Sequence, residues 1–451
     1  MNLPDEFNRR MKQMLGDTYP NFEASFSSHS ISAGLRLNPL KKGAKEAVFS
    51  VTGPLAPVPW CREGYYCDKS VLDGNHPYHL AGLFYFQEPS AMSPVSGLPL
   101  DREDVVLDLC AAPGGKSTQA APFVRLLVSN EVVPKRASVL AENIERFGLS
   151  NTVVTNESPQ RLAEKYPDFF DKIIVDAPCS GEGMFRKEPQ AAEQWSVEHT
   201  RSCAERQKHI LDCAVKMLHP GGMLMYSTCT FAPEENEGVV AYLIQEHGLS
   251  LEPVPALQML SPGNGSWTDT DSDLSAARRI FPHLQNGEGH FCALFQKNGE
   301  TASQRKPTEK AQKPDPRISL YRDFEQDYLT VHQDGGLVFF GENLYLKPAG
   351  IDINKIKVLR CGLHLGVCKK GRFEPSAALA LSLSKEDFRQ TIDLHLDSKE
   401  LPAYLRGETF SCDPSFQGWT AVLVNRYPLG WGKASGGILK NHFPKHLRRY
   451  K

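Results

Sequence analysis

Two cysteines stand where a nucleophile would be useful. The stretch Asp176-Ala177-Pro178-Cys179-Ser180-Gly181 follows the apolar run Lys172-Ile173-Ile174-Val175, and Met225-Tyr226-Ser227-Thr228-Cys229-Thr230 closes a second such run. If the two runs are neighbouring parallel strands, both thiols leave the sheet at its C-terminal edge, where open α/β folds bind their ligands. Each cysteine then sits in a polar turn just past a strand, a setting in which a lowered pKa supplies the thiolate needed for attack. A redox pair is the alternative that these residues by themselves leave open. Most of the remaining nine of the eleven cysteines read as small inert hydrophobes, and none of the eleven makes a CxxC spacing. Neither a structural metal nor a disulfide framework is expected.

A glycine-rich turn supplies the second chemical signal. Val105-Val106-Leu107-Asp108 runs into Leu109-Cys110-Ala111-Ala112-Pro113-Gly114-Gly115-Lys116, small residues that let a ligand approach the backbone closely. Gly115-Lys116-Ser117 resembles the end of a P-loop, but the glycine that motif needs five positions before Gly-Lys is Cys110 here. Pro113 also removes an amide from the phosphate cradle, so an NTPase is set aside. The next apolar run ends on Glu131, where doubly wound folds place an acid against ribose hydroxyls. An adenosine-type ligand is expected, with Arg136 in the following helix facing either that ligand or Glu131.

These residues require a scaffold of parallel strands. From 105 to 297 short apolar runs alternate with amphipathic stretches, and strands are expected over 105–110, 126–131, 152–156, 172–176, 223–228 and 290–296. Ile210, Leu211, Ala214, Val215 and Leu218 recur at helical spacing before His219-Pro220-Gly221-Gly222 stops the helix. A region over 1–100 precedes this α/β unit of 101–297 and carries Arg36, Lys41, Lys42 and Lys45 among Trp60, Tyr65, Tyr66, Tyr85 and Phe86. A linker is expected over 298–317, followed by short strands and turns and a C-terminal tail with Lys440, Lys445, Arg448, Arg449 and Lys451. The 451 residues suffice for several folding units. With 51 Lys and Arg against 53 Asp and Glu the formal net charge is −2, so any nucleic-acid contact must come from local patches. No apolar run is long enough for a membrane span and 1–10 carries mixed charge, so a cytoplasmic protein without membrane partners is expected.

In order and spacing, the turn around Asp108–Lys116, the Asp176-Ala177-Pro178-Cys179 run and Ser227-Thr228-Cys229-Thr230 resemble the Nop/Sun family of RNA cytosine-C5 methyltransferases. Arg278-Arg279-Ile280-Phe281-Pro282 and Gly289-His290-Phe291 resemble a late element of that family, and 84–91 its lead-in segment. Arg372-Phe373-Glu374-Pro375-Ser376 and Pro428-Leu429-Gly430-Trp431-Gly432-Lys433 are similar to its bacterial RsmF-like branch, which modifies 16S ribosomal RNA. The resemblance implies a Rossmann-like class I methyltransferase domain, an N-terminal α/β RNA-recognition region, an intermediate domain over 318–390 and a C-terminal α+β PUA-like RNA-binding region over 391–451. It implies S-adenosyl-L-methionine as cofactor, contacted by Cys110, Ala111, Ala112, Pro113, Gly114, Gly115, Lys116, Glu131, Arg136 and Asp176. By the same resemblance Cys229 is the nucleophile that adds to cytosine C6, Cys179 assists proton removal and release, and Asp176 holds the base near N3 and N4. The implied partner is 16S ribosomal RNA or the small subunit, bound by a monomer. Aromatics and cations of the first hundred residues, with the basic tail, would contact RNA. The family often places an aspartate after the third strand for the adenine amine; here the chain reads Thr155-Asn156-Glu157-Ser158.

Overall fold

Alternating apolar residues decide which helical layer each face of the central sheet meets. The computed structural model describes residues 3–27, 33–268, 270–299 and 315–448. Its parallel strands are β1 (Val105–Asp108), β2 (Leu126–Asn130), β3 (Thr152–Thr155), β4 (Phe170–Asp176) and β5 (Leu218–Thr228). Val105, Leu107, Ile173, Val175, Leu224 and Tyr226 face one core, shared with Leu162, Leu211, Ala214 and Val240 of the helices on that side. Val106, Leu127, Val154, Ile174 and Met225 face the other, with Ala120, Leu140 and Ile144. Strands buried on both faces are the reason these segments read as continuous apolar runs.

The order across the sheet is β3-β2-β1-β4-β5, extended beyond β5 by the antiparallel strand β6 (His290–Gln296) and beyond β3 by the antiparallel strand β7 (Val358–Cys361). Three short strands, Ser250–Glu252, Ser261–Pro262 and Arg278–Ile280, complete the β6 side. The six expected strands are all present, with β6 over the expected span. β1 stops at Asp108 because residues 109–110 already turn. β4 and β5 start earlier than expected, since Phe170 pairs with Leu218 before the register shifts to Lys172 against Met223. The helix α1 (Val197–Met217) does end ahead of His219-Pro220-Gly221-Gly222, and those residues form the irregular opening of β5, where a proline costs no ladder bond.

The flanking regions close over this sheet. An antiparallel sheet of Gly64–Tyr66, Gly34–Leu37 and Phe84–Phe86 shares one core with the C-terminal five-stranded sheet, through residues such as Leu35, Phe84, Tyr404 and Val422. The helices Asp5–Leu15 and Tyr19–Ser27 bring Phe7, Phe22 and Phe26 against Phe185, Trp195 and Phe231, next to the two cysteine turns. The two late motifs singled out in the sequence meet: Trp431 donates from Nε1 to Ser376 O at 2.8 Å. β7 belongs by sequence to the 318–390 stretch, yet it pairs along β3, so that stretch contributes to the catalytic sheet. Most of the 298–317 linker lies outside the described residues. Among the described residues no helix is long and apolar enough to cross a membrane, and no group of three or more His, Cys, Asp or Glu is placed to hold a metal ion.

Candidate active site

Register brings the thiols together. β4 and β5 pair in parallel with Asp176 opposite Ser227, so the chain leaves both strands side by side and Cys179 Sγ comes to 3.3 Å from Cys229 Sγ. Both cysteines are free and partly exposed. The Cys179 thiol is pushed well above the ordinary thiol range, first by its hydrogen bond with Cys229 and then by burial and by the charge of that neighbour. Cys179 therefore keeps its proton more tightly than an ordinary thiol does.

Asp176, the last residue of β4, has about a third of its side chain open to the site, at 32%. Its Oδ2 accepts from Lys116 Nζ at 2.7 Å and its Oδ1 from Ser227 Oγ at 2.8 Å, with His290 Nε2 at 3.5 Å. Burial favours the neutral acid, but the Lys116 ammonium and the His290 imidazole outweigh it and hold the carboxyl below its usual range. Lys116, buried and paired with Asp176, is correspondingly held above its ordinary value despite the opposing effect of burial. Asp176 therefore stays an anion, at the strand-end edge from which both cysteine turns leave.

The glycine turn faces the same edge. Ala112-Pro113 is a cis peptide, and Gly114 sits at φ 114°, a conformation that a β-carbon disfavours. Arg136 spans the turn and the acid, donating from Nη2 to Ala112 O at 2.9 Å with Nη1 3.4 Å from Glu131 Oε2. Of its two expected contacts the structure provides the one with Glu131, whose Oε1 also accepts from Val133 N at 2.9 Å. Cys110 is held as a neutral thiol by burial. Beneath the turn, Asp108 is pushed up to about 7 by burial; Ser117 Oγ donates to its Oδ2 at 2.7 Å, while Oδ1 has no partner among the described residues. A backbone cradle of small residues, a strand-end acid for hydroxyls and a nearby carboxylate fit an adenosine carrying an amino-acid tail.

Several functional neighbours escaped the sequence reading. Glu235, fully buried, accepts at Oε2 from Ser180 N at 3.0 Å and from Gln207 Nε2 at 2.7 Å, and Gln207 also donates to Pro178 O. It thereby braces the Cys179 turn, and burial pushes its carboxyl up to about 8. The next residue braces the Cys229 turn: Asn236 accepts from Thr228 Oγ1 at 2.6 Å and donates to Thr230 O at 2.9 Å. The available signal was Pro233-Glu234-Glu235-Asn236-Glu237, an acidic run directly after a reactive turn. His290, 3% exposed, belongs to the site as well, with its Nε2 beside Asp176; in the sequence its motif carries only the family resemblance.

The N-terminal cations and aromatics require correction. Arg36 is buried and donates to Gln87 Oε1, Gly115 O and Thr118 Oγ1; Lys41 is buried against Leu381 O. Trp60, Tyr65 and Tyr85 are core residues as well. These side chains join units of the protein and are not free to stack on bases or reach phosphates. Lys42, Lys45, Lys440 and Lys445 remain exposed, whereas Arg448 donates to Phe443 O; Arg449 and Lys451 lie outside the described residues.

An open sheet of this order, with a glycine turn after β1 and an acid after β2, defines a Rossmann-like methyltransferase core. Residues 95–296 match the model for 16S rRNA methyltransferase RsmB/F. Residues 3–89 match the N-terminal domain of 16S rRNA methyltransferase RsmF, 323–383 its first C-terminal domain and 391–449 the methyltransferase RsmF PUA domain. Ribosomal RNA small subunit methyltransferase F of Erwinia tasmaniensis is 32% identical over 477 residues, covering 99% of this chain and 97% of its own; that of Escherichia coli strain SE11 is 30% identical over 474 residues, with the same coverage. A methyltransferase homolog from Pyrococcus horikoshii superposes with a TM-score of 0.58 at 28% identity, over 65% of this chain and 95% of that one. NSun6 from Pyrococcus horikoshii, solved with the S-adenosylmethionine analogue SFG, shares the fold with a TM-score of 0.55 at 22% identity, over 66% and 99%. The chain belongs to the RsmF family of 16S ribosomal RNA methyltransferases, and its cofactor is S-adenosyl-L-methionine.

Proposed function

We propose that the protein methylates C5 of a cytosine in 16S ribosomal RNA through a covalent bond between Cys229 and C6 of the base. The observation that carries this reading is the Cys179–Cys229 pair beside an ionised Asp176. Cytosine C5 is a weak nucleophile, so electron density must first be pushed onto it. Addition of the Cys229 thiolate to C6 forms the S–C6 bond and moves the C5=C6 electron pair onto C5 and the N3 side of the ring. Bound S-adenosyl-L-methionine supplies the electrophilic methyl group that C5 takes.

Asp176, anionic and oriented by Lys116 and Ser227, accepts a hydrogen bond from the N4 amine and fixes the base against the thiols. Once Cys229 is a thioether it no longer carries the charge that raised Cys179. The Cys179 thiol can then lose its proton to solvent, and the resulting thiolate takes the C5 proton, so that the C5–H pair restores C5=C6 as Cys229 leaves as a thiolate. The base reaches this site only outside a stack, at a cost of a few kcal/mol, so unpaired or distorted RNA is the favoured substrate. The PUA match over 391–449 supports RNA contacts by the C-terminal unit.

The test is methyl incorporation from labelled cofactor into 16S RNA and small subunits from a strain lacking the gene, with bisulfite mapping of the product. The wild-type protein is expected to label a cytosine at C5, and C229A to label nothing. Label on another atom, or label that persists in C229A, would sink the reading.

A further inference from the structure

At the end of β3, where family members often place an aspartate for the adenine amine, Asn156 has every polar atom of its side chain engaged. Its Nδ2 donates to Glu131 O at 2.7 Å and to Val132 O at 3.0 Å, and its Oδ1 accepts from Lys357 Nζ at 2.6 Å. Its backbone N–H donates to Lys357 O at 3.0 Å. Glu157 is tied to the same residue, its Oε1 accepting from Lys357 N at 2.6 Å, and Asn130 closes the frame by donating to Glu157 O at 3.0 Å. Lys357 immediately precedes β7, the strand that the 318–390 stretch adds to β3, and that stretch is also fastened where Tyr166 Oη donates to Asp352 O at 2.8 Å and Lys165 pairs with Asp352. The carbonyls gripped by Asn156 belong to Glu131 and Val132, so the segment presenting the Glu131 carboxylate is fixed through a side chain that is itself fixed from 201 residues away.

We infer that Asn156 is a positioning residue for the nucleoside end of the cofactor pocket, holding the Glu131–Val132 backbone in place, and that Lys357 makes that end of the pocket a joint product of the catalytic sheet and the C-terminal half of the chain. The inference rests on Glu131 as the acid that holds the ribose hydroxyls. Both amide hydrogens of Asn156 are spent on the Glu131 and Val132 carbonyls, and its oxygen is turned to Lys357. An aspartate at 156 would keep the pairing with Lys357 but set its second oxygen against two carbonyl oxygens, which repel it.

Calorimetric binding of S-adenosylhomocysteine to the full chain separates a positioning role from direct contact. N156D is expected to weaken binding roughly tenfold and N156A somewhat less. K357M, a change at an exposed side chain, is expected to weaken it about threefold in the wild type and to add nothing in the N156A background. K165M, which loosens the same interface away from Asn156, leaves affinity unchanged, and thermal unfolding of each variant confirms the fold. N156D binding as tightly as the wild type, the result a direct contact with the adenine amine gives, overturns the inference, as does K357M without effect. E131Q is the control for the underlying reading: if it costs no affinity, the ribose assignment falls and takes the inference with it. A loss in E131Q with none in N156D removes the inference alone.

Discussion

Cys179 and Cys229 are the same residue type in similar turns, and their surroundings divide them. Cys179 is raised by its hydrogen bond with Cys229, by burial and by the charge of that neighbour. Glu235 lies just behind and is raised from 4.5 to about 8, chiefly by burial. An acid raised in the folded state keeps its proton there after the unfolded chain has lost it, so its contribution to stability is full below about pH 4 and is lost as pH rises through about 8. E235Q, neutral throughout, is expected to gain on the wild type in melting temperature as pH goes from 5 to 8.5; parallel melting curves would count against a buried neutral acid. The thiols and Asp176 were legible because their types and strand-end positions are visible in the chain. The ranking of the thiols needed a resemblance, because it depends on a 3.3 Å contact and on neighbours such as Glu235 that no spacing rule places.

At the scale of elements, apolar runs announced every central strand because both faces of the sheet are covered. Their ends were less legible, since a bulge at the start of β5 and a turn after Asp108 are set by pairing partners far along the chain. The turns are held by close approach as much as by hydrogen bonds. A β-carbon on Gly183 would lie 2.9 Å from Cys229 O and 3.0 Å from Gly289 O, whereas one on Gly181, at φ 72°, would meet nothing within 4 Å among the described residues. G183A should therefore displace the Cys229 turn and slow single-turnover methyl transfer at least tenfold, at an overpacking cost of about 1–3 kcal/mol. G181A should cost about 1 kcal/mol of backbone strain and leave the rate within a few-fold. Equal rates for the two variants would show that the steric argument is wrong.

At the scale of the whole molecule, the flanking regions act on the site from the inside. Arg36 reaches from the N-terminal sheet to Gly115 of the glycine turn and Thr118 of the helix it opens, and Lys357 reaches from the C-terminal half to Asn156. Sequence reading gave Arg36 and Lys41 to RNA because a cation among aromatics looks the same whether it faces solvent or a neighbouring unit. Removing the buried guanidinium leaves its acceptors unpaired, so R36M is expected to lower stability by about 2–4 kcal/mol in denaturant unfolding while RNA affinity in filter binding stays unchanged at fixed salt. A weaker RNA complex with unchanged stability would restore the surface role. The loan of β7 to the catalytic sheet was not legible, because pairing between distant strands leaves no local pattern.

The covalent role of Cys229 is open to one direct measurement. C179S protein, incubated with cofactor and unmodified 16S RNA, is expected to accumulate an RNA-linked species in a denaturing gel, because the step that releases the adduct is impaired. After nuclease and protease digestion, mass spectrometry should find the methylated cytidine residue on the peptide containing Cys229, and C179S/C229A protein should form no such species. A nucleotide attached at any other residue, or a linked species that survives the loss of Cys229, would contradict the account.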